Sequence, residues 1–97
     1  MAKYNRAMAG IDAEILGQLS LADIRKVSFY KRDEITTDLI CCDVVLGERV
    51  WTFHEELEGW DALIRHLQAL PSFNSDWFAS VSQPPFASSE TVAFFRP

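Results

Sequence analysis

An α+β domain is the architecture to which three features of this chain point. An apolar hairpin runs from Leu39 to Glu56 with side chains alternating between two faces, a helical apolar stripe follows from Trp60 to Leu70, and 97 residues allow one core. The expected form is an antiparallel sheet of about four strands, with one main amphipathic helix and one short helix packed on one face, in the order βββααβ. Residues 1–10 are expected to be a flexible N-terminal arm, and residues 11–97 a single α+β domain.

The arm carries Lys3 and Arg6 without hydrophobic periodicity. Ile11, Ile15, Leu19 and Leu21 then fall at the loosely helical spacing of a short helix, which Gly17 inside the stretch weakens, so that helix and loop stand even and the predicted order omits the helix. From Ile24 to Lys31 the pattern alternates, with Val27 and Phe29 on one face and Lys26, Ser28 and Tyr30 on the other, the period of a half-buried strand. The polar run Lys31-Arg32-Asp33-Glu34, with Thr36, Thr37 and Asp38, reads as the connection to the hairpin.

Gly47-Glu48 suits a two-residue type II′ turn, because glycine supplies positive φ at its first position. That turn sets a register. Leu46 then opposes Arg49, Val44 opposes Trp51, Cys42 opposes Phe53 and Ile40 opposes Glu55, giving an apolar face. On the other face Val45 opposes Val50, Asp43 opposes Thr52, Cys41 opposes His54 and Leu39 opposes Glu56; a four-residue loop would keep the same faces but set Asp43 opposite His54.

After Glu58-Gly59 the period changes to 3.6, with Trp60, Leu63, Ile64, Leu67 and Leu70 on one stripe, Asp61 favouring the dipole in the first turn and Pro71 as the stop. A shorter helix is expected to start at Asn74 or Ser75, to carry Trp77, Phe78 and Val81, and to end at Gln83-Pro84-Pro85. Thr91 to Phe95 reads as a final strand. Joined beside the first strand, it leaves the hairpin's second strand as a sheet edge, and an uncovered edge is a route to dimerisation.

A formal net charge of −5 gives phosphate backbones nothing to neutralise, which argues against a nucleic-acid partner and for a basic protein surface. Cys41 and Cys42 are adjacent in a strand and point to opposite faces, so they do not pair in an ordinary disulfide and suit a reducing, cytoplasmic setting. No apolar run approaches the ~18 residues of a membrane span.

Cys41, Asp43, His54 and Glu56 are the binding candidates, a polar patch on the outer sheet face whose thiol, imidazole and carboxylates are competent metal ligands. The paired spacings of a zinc site are missing, so no metal and no cofactor is assigned. Cys41 beside His54 also has the makings of a nucleophile and base, but a mid-strand thiol lacks the helix dipole that stabilises a thiolate, and no catalytic residue is assigned. Ordinary cross-strand pairing is the competing reading of this face. Asp33, Glu34, Asp38, Glu55, Glu58 and Asp61 gather as an acidic patch at one end of the hairpin. The tryptophans and phenylalanines read as core, His66 as its border, and Gln83-Pro84-Pro85-Phe86 as a rigid loop.

Tyr30-Lys31-Arg32-Asp33, Thr37-Asp38-Leu39-Ile40-Cys41, His54-Glu55-Glu56, Gly59-Trp60-Asp61-Ala62-Leu63 and Leu70-Pro71 resemble a pattern in small uncharacterised bacterial proteins. The resemblance spans roughly Val27 to Ala87. It implies a bacterial, cytosolic, free-standing protein and brings no reaction, cofactor, substrate or residue role.

The expected function is that of a non-enzymatic protein-interaction domain, adaptor or immunity-like, that uses its sheet edge and acidic hairpin end to contact another protein or a second copy of the chain, with no nucleic acid and no membrane. The alternative is a small-ligand or metal-binding protein, or a minor hydrolase, built around Cys41 and His54.

Overall fold

In a computed structural model, which describes residues 10–33, 38–82 and 90–97, the elements are α1 (Ala13–Gln18), β1 (Ile24–Asp33), β2 (Asp38–Leu46), β3 (Arg49–His54), α2 (Trp60–Leu67), α3 (Trp77–Val81) and β4 (Glu90–Phe95). The strands form an antiparallel sheet in the order β3-β2-β1-β4. The chain is therefore α+β. Its order departs from βββααβ by the helix α1 ahead of β1.

Gly47 adopts φ +58° while Glu48 keeps a negative φ, as a type II′ turn requires. From it follow the pairs Leu46 with Arg49, Val45 with Val50, Val44 with Trp51, Asp43 with Thr52, Cys42 with Phe53 and Cys41 with His54, the predicted register. β3 ends at His54, and Glu55 and Glu56 form a turn, so the expected pair of Leu39 with Glu56 is not made. Glu55 stays attached to β2, donating its N–H to the Ile40 oxygen at 3.0 Å and accepting the Ile40 N–H on Oε2 at 2.9 Å.

β1 runs two residues beyond the predicted Lys31, because Arg32 and Asp33 still pair with Leu39 and Asp38. Lys31 is buried on the inner side, with its ammonium 3.6 Å from Asp38 Oδ2 and donating to the Ser82 carbonyl at 3.3 Å. Those partners satisfy a charge that the sequence reads as a loop signal.

Val27 and Phe29 of β1, Cys42 and Val44 of β2, and Trp51 and Phe53 of β3 share one buried cluster with Leu63 and Leu67 of α2 and Trp77 and Val81 of α3. Each such side chain contributes about 1.5–3 kcal/mol on full burial. Phe29 is the centre of its aromatic part, stacked on Trp77 with ring centroids 3.8 Å apart and met edge-on by Trp60 and Phe73. Lys26, Ser28, Tyr30, Cys41, Asp43, Val45, Val50, Thr52, Val92 and Phe95 contribute nothing to that cluster.

α1 forms in spite of Gly17. Asp12 accepts the Ile15 N–H on Oδ1 at 3.0 Å as an N-cap, and His66 Nε2 donates to the Leu19 carbonyl at 2.7 Å, tying the end of α1 to α2. α2 ends at Leu67, short of the predicted Leu70, which remains buried in the following turn. α3 starts at Trp77, later than expected; Asn74 caps the turn before it, its Oδ1 accepting from the Asp76 N–H at 2.9 Å, while its own N–H donates to the Ala93 oxygen of β4 at 2.8 Å. Phe78 faces solvent, unlike Trp77 and Val81. The predicted loop Gln83-Pro84-Pro85-Phe86 and the N-terminal arm up to Ala9 lie outside the described residues.

Candidate functional site

Strand pairing lays out the outer face of the sheet as three rows. From β4 to β3 they are Phe95, Lys26, Val45 and Val50; Val92, Ser28, Asp43 and Thr52; and Glu90, Tyr30, Cys41 and His54. The alternation of β1 and β2 and the register of the hairpin together put Cys41, Asp43 and His54 on this face. Glu56 is not with them, since β3 has ended; it is exposed in the turn and donates its backbone N–H to His54 Nδ1 at 3.3 Å.

The polar groups at the centre are bonded to one another. Asp43 Oδ1 accepts from the Thr52 hydroxyl at 2.7 Å and from the Tyr30 hydroxyl at 3.3 Å, a link across three strands. Burial, then the charge of Asp43 and the neighbouring Cys41, push the Tyr30 phenol well above its ordinary value, so it stays protonated and donates. Cys41 is 1% exposed and its thiol leans on the Leu39 carbonyl at 3.9 Å. Cys42 lies on the inner face in the core, where burial, with Asp43 and Cys41 nearby, pushes its thiol well up. A buried thiol held protonated is a poor nucleophile.

No group of three or more His, Cys, Asp and Glu side chains able to hold a metal ion occurs among the described residues. The acidic patch is also divided. Asp38 faces Lys31 and Glu55 accepts from the Ile40 amide, whereas Glu58 and Asp61 are exposed. The Asp33 side chain and Glu34 lie outside the described residues.

Exposed apolar side chains flank the bonded centre: Val50 at 46%, Val92 at 46% and Phe95 at 62%. Sequence reasoning did not join Tyr30 and Thr52 to Asp43 as a unit. The signal was present, because pairing the first strand antiparallel with the second sets Tyr30 on the face of Asp43.

Compared with protein-family models, with curated proteins and with solved structures, the chain matches none. The resemblance to small uncharacterised bacterial proteins gains no support from a family model. Among the described residues, no helix is long and apolar enough to cross a membrane.

Proposed function

We propose that this chain is a non-enzymatic protein-interaction domain that contacts its partner through the outer face of the sheet. The observation carrying this reading is the division of labour on that face. Asp43 is already engaged by Tyr30 and Thr52, and His54 Nδ1 by the Glu56 amide, while Val50, Val92 and Phe95 stand in solvent. Apolar side chains around a satisfied polar centre are the composition of a contact surface rather than of a reaction centre. Two buried cysteines outside any disulfide suit the reducing cytoplasm, and the net charge of −5 suits a basic partner.

Capture of binding proteins by the wild type, by His54→Ala and by the double variant Val92→Lys/Phe95→Lys tests the reading. A protein held equally by the wild type and His54→Ala is expected to be lost about tenfold or more by the double variant, as removal of two anchors worth about 1 kcal/mol each implies. Equal retention by all three would contradict it.

A further inference from the structure

We infer that the partner of edge strand β3 is a second copy of this chain, joined antiparallel about a two-fold axis at Thr52 so that the two sheets become continuous. This assigns a second surface, separate from the outer-face contact proposed above.

The direction of the peptide groups comes first. Leu46 and Arg49 close the two-residue turn, and the Glu55 N–H donates to the Ile40 oxygen. Hydrogen-bonded pairs alternate along an antiparallel ladder, so Arg49, Trp51, Phe53 and Glu55 aim their peptide groups at β2, and Val50, Thr52 and His54 aim theirs away from the sheet. Among the described residues nothing bonds the N–H or C=O of Val50 or Thr52, or the N–H of His54. The His54 carbonyl accepts from Leu57 at 3.1 Å.

The opposite edge is interrupted. β4 is irregular where it passes Val27 and Ser28, and its Ala93 carbonyl is taken by the Asn74 N–H at 2.8 Å. Bulges and covering segments are how sheets block unwanted pairing. Among the described residues β3 has neither: its register with β2 is unbroken, and Val50 and Thr52, both β-branched, are exposed.

Self-complementarity selects a second copy. An antiparallel copy centred on Thr52 pairs Thr52 with itself and sets Val50 opposite the second copy's His54, so every outward-pointing residue of β3 gains a partner. Arg49 then lies beside the second copy's Glu55, an opposite charge whose Oε2 also accepts the Ile40 N–H of its own chain. Centring on Trp51 would leave His54 unpaired. A parallel copy would stack Arg49 on Arg49 and Glu55 on Glu55. Glu48 and Glu56 fall beyond the ladder in exposed turns, where water screens them. The interface is isologous, as a two-fold dimer requires.

Sedimentation and circular dichroism of three variants and the wild type test the assembly. The wild type is expected at twice the 11.0 kDa chain mass. Thr52→Pro removes an outward N–H that β2 does not use, and is expected to sediment as a single chain with a native spectrum. Thr52→Val loses the hydroxyl and keeps the N–H, and is expected to remain a dimer. Thr52→Cys is expected to cross-link to itself on mild oxidation, since hydrogen-bonded antiparallel partners lie about 5.5 Å apart at Cα, within disulfide reach. A wild type that stays at 11.0 kDa at its highest soluble concentration would overturn the self-pairing. So would a Thr52→Pro dimer as tight as the wild type. Neither result bears on capture of a different protein by Val92 and Phe95, so the two readings fail separately.

Discussion

Gly59 enters α2 at φ +94°, and a Cβ at that position would strike the backbone oxygen of Ile11. The Ile11 N–H donates to the Glu58 oxygen at 2.7 Å, so the contact cannot open without giving up a bond between the N-terminal segment and the start of α2. Gly59→Ala is expected to cost about 2 kcal/mol or more, from the left-handed backbone and the collision together, measured by denaturant unfolding. Tyr30 makes a second prediction at this scale. Burial and Asp43 raise its folded pKa above the unfolded value of about 10, so the unfolded chain loses its proton first as pH rises. Stability from this group is therefore complete below about pH 10 and falls above it. Tyr30→Phe is expected to flatten that part of the alkaline loss in unfolding curves, and an unchanged slope would remove Tyr30 as its source.

α1 shows how tertiary partners override a local signal. Gly17 lies within it with no atom within 4 Å of where a Cβ would be, and its φ is not in the left-handed region. Gly17→Ala is accordingly expected to stabilise the protein by about 0.5–1 kcal/mol, visible as a higher unfolding midpoint. Arg96 works in the other direction. Its guanidinium donates to the carbonyls of Leu21 and Ile24, each at 3.0 Å, and fastens the C-terminal end of β4 to the turn before β1. Arg96→Ala is expected to destabilise by about 1–3 kcal/mol through the two carbonyls left without a donor, read by the same unfolding experiment.

The elements legible in the sequence are those whose pattern and turn chemistry agree. Gly47 suits the two-residue turn whose register the hairpin adopts, and period-two alternation sets Cys41, Asp43 and His54 on one face for either even loop length. Lys31 was misread because its burial depends on Asp38 and the distant Ser82 carbonyl, neither of which periodicity can announce. Asn74 does bond the Asp76 amide that follows it, but α3 itself begins only at Trp77, and the bond from the Asn74 N–H to Ala93 depends on the sheet bringing β4 alongside. Glu56 was placed on the outer face by extending the ladder past His54, where the chain turns instead. The bonded unit of Tyr30, Asp43 and Thr52 needed β1 and β3 to be placed on either side of β2.

At the level of the molecule, one face of the sheet carries the core, while the other holds a bonded polar centre with Ser28 and Cys41 buried and Val50, Val92 and Phe95 exposed. A domain of this length has a modest margin of buried surface, to which a continuous sheet of two copies would add without new core. The open edge is also where a hazard and a function share the same chemistry, since unpaired peptide groups accept any compatible strand. Amide hydrogen exchange along β3, resolved residue by residue and followed as protein concentration rises, tests this most directly. The Trp51 and Phe53 amides, bonded to β2, are expected to exchange slowly at every concentration. The Thr52 amide is expected to exchange freely in dilute solution and to become protected as the chains associate. A Thr52 amide that exchanges freely at every concentration, beside protected Trp51 and Phe53, would contradict the pairing of β3 with a second copy.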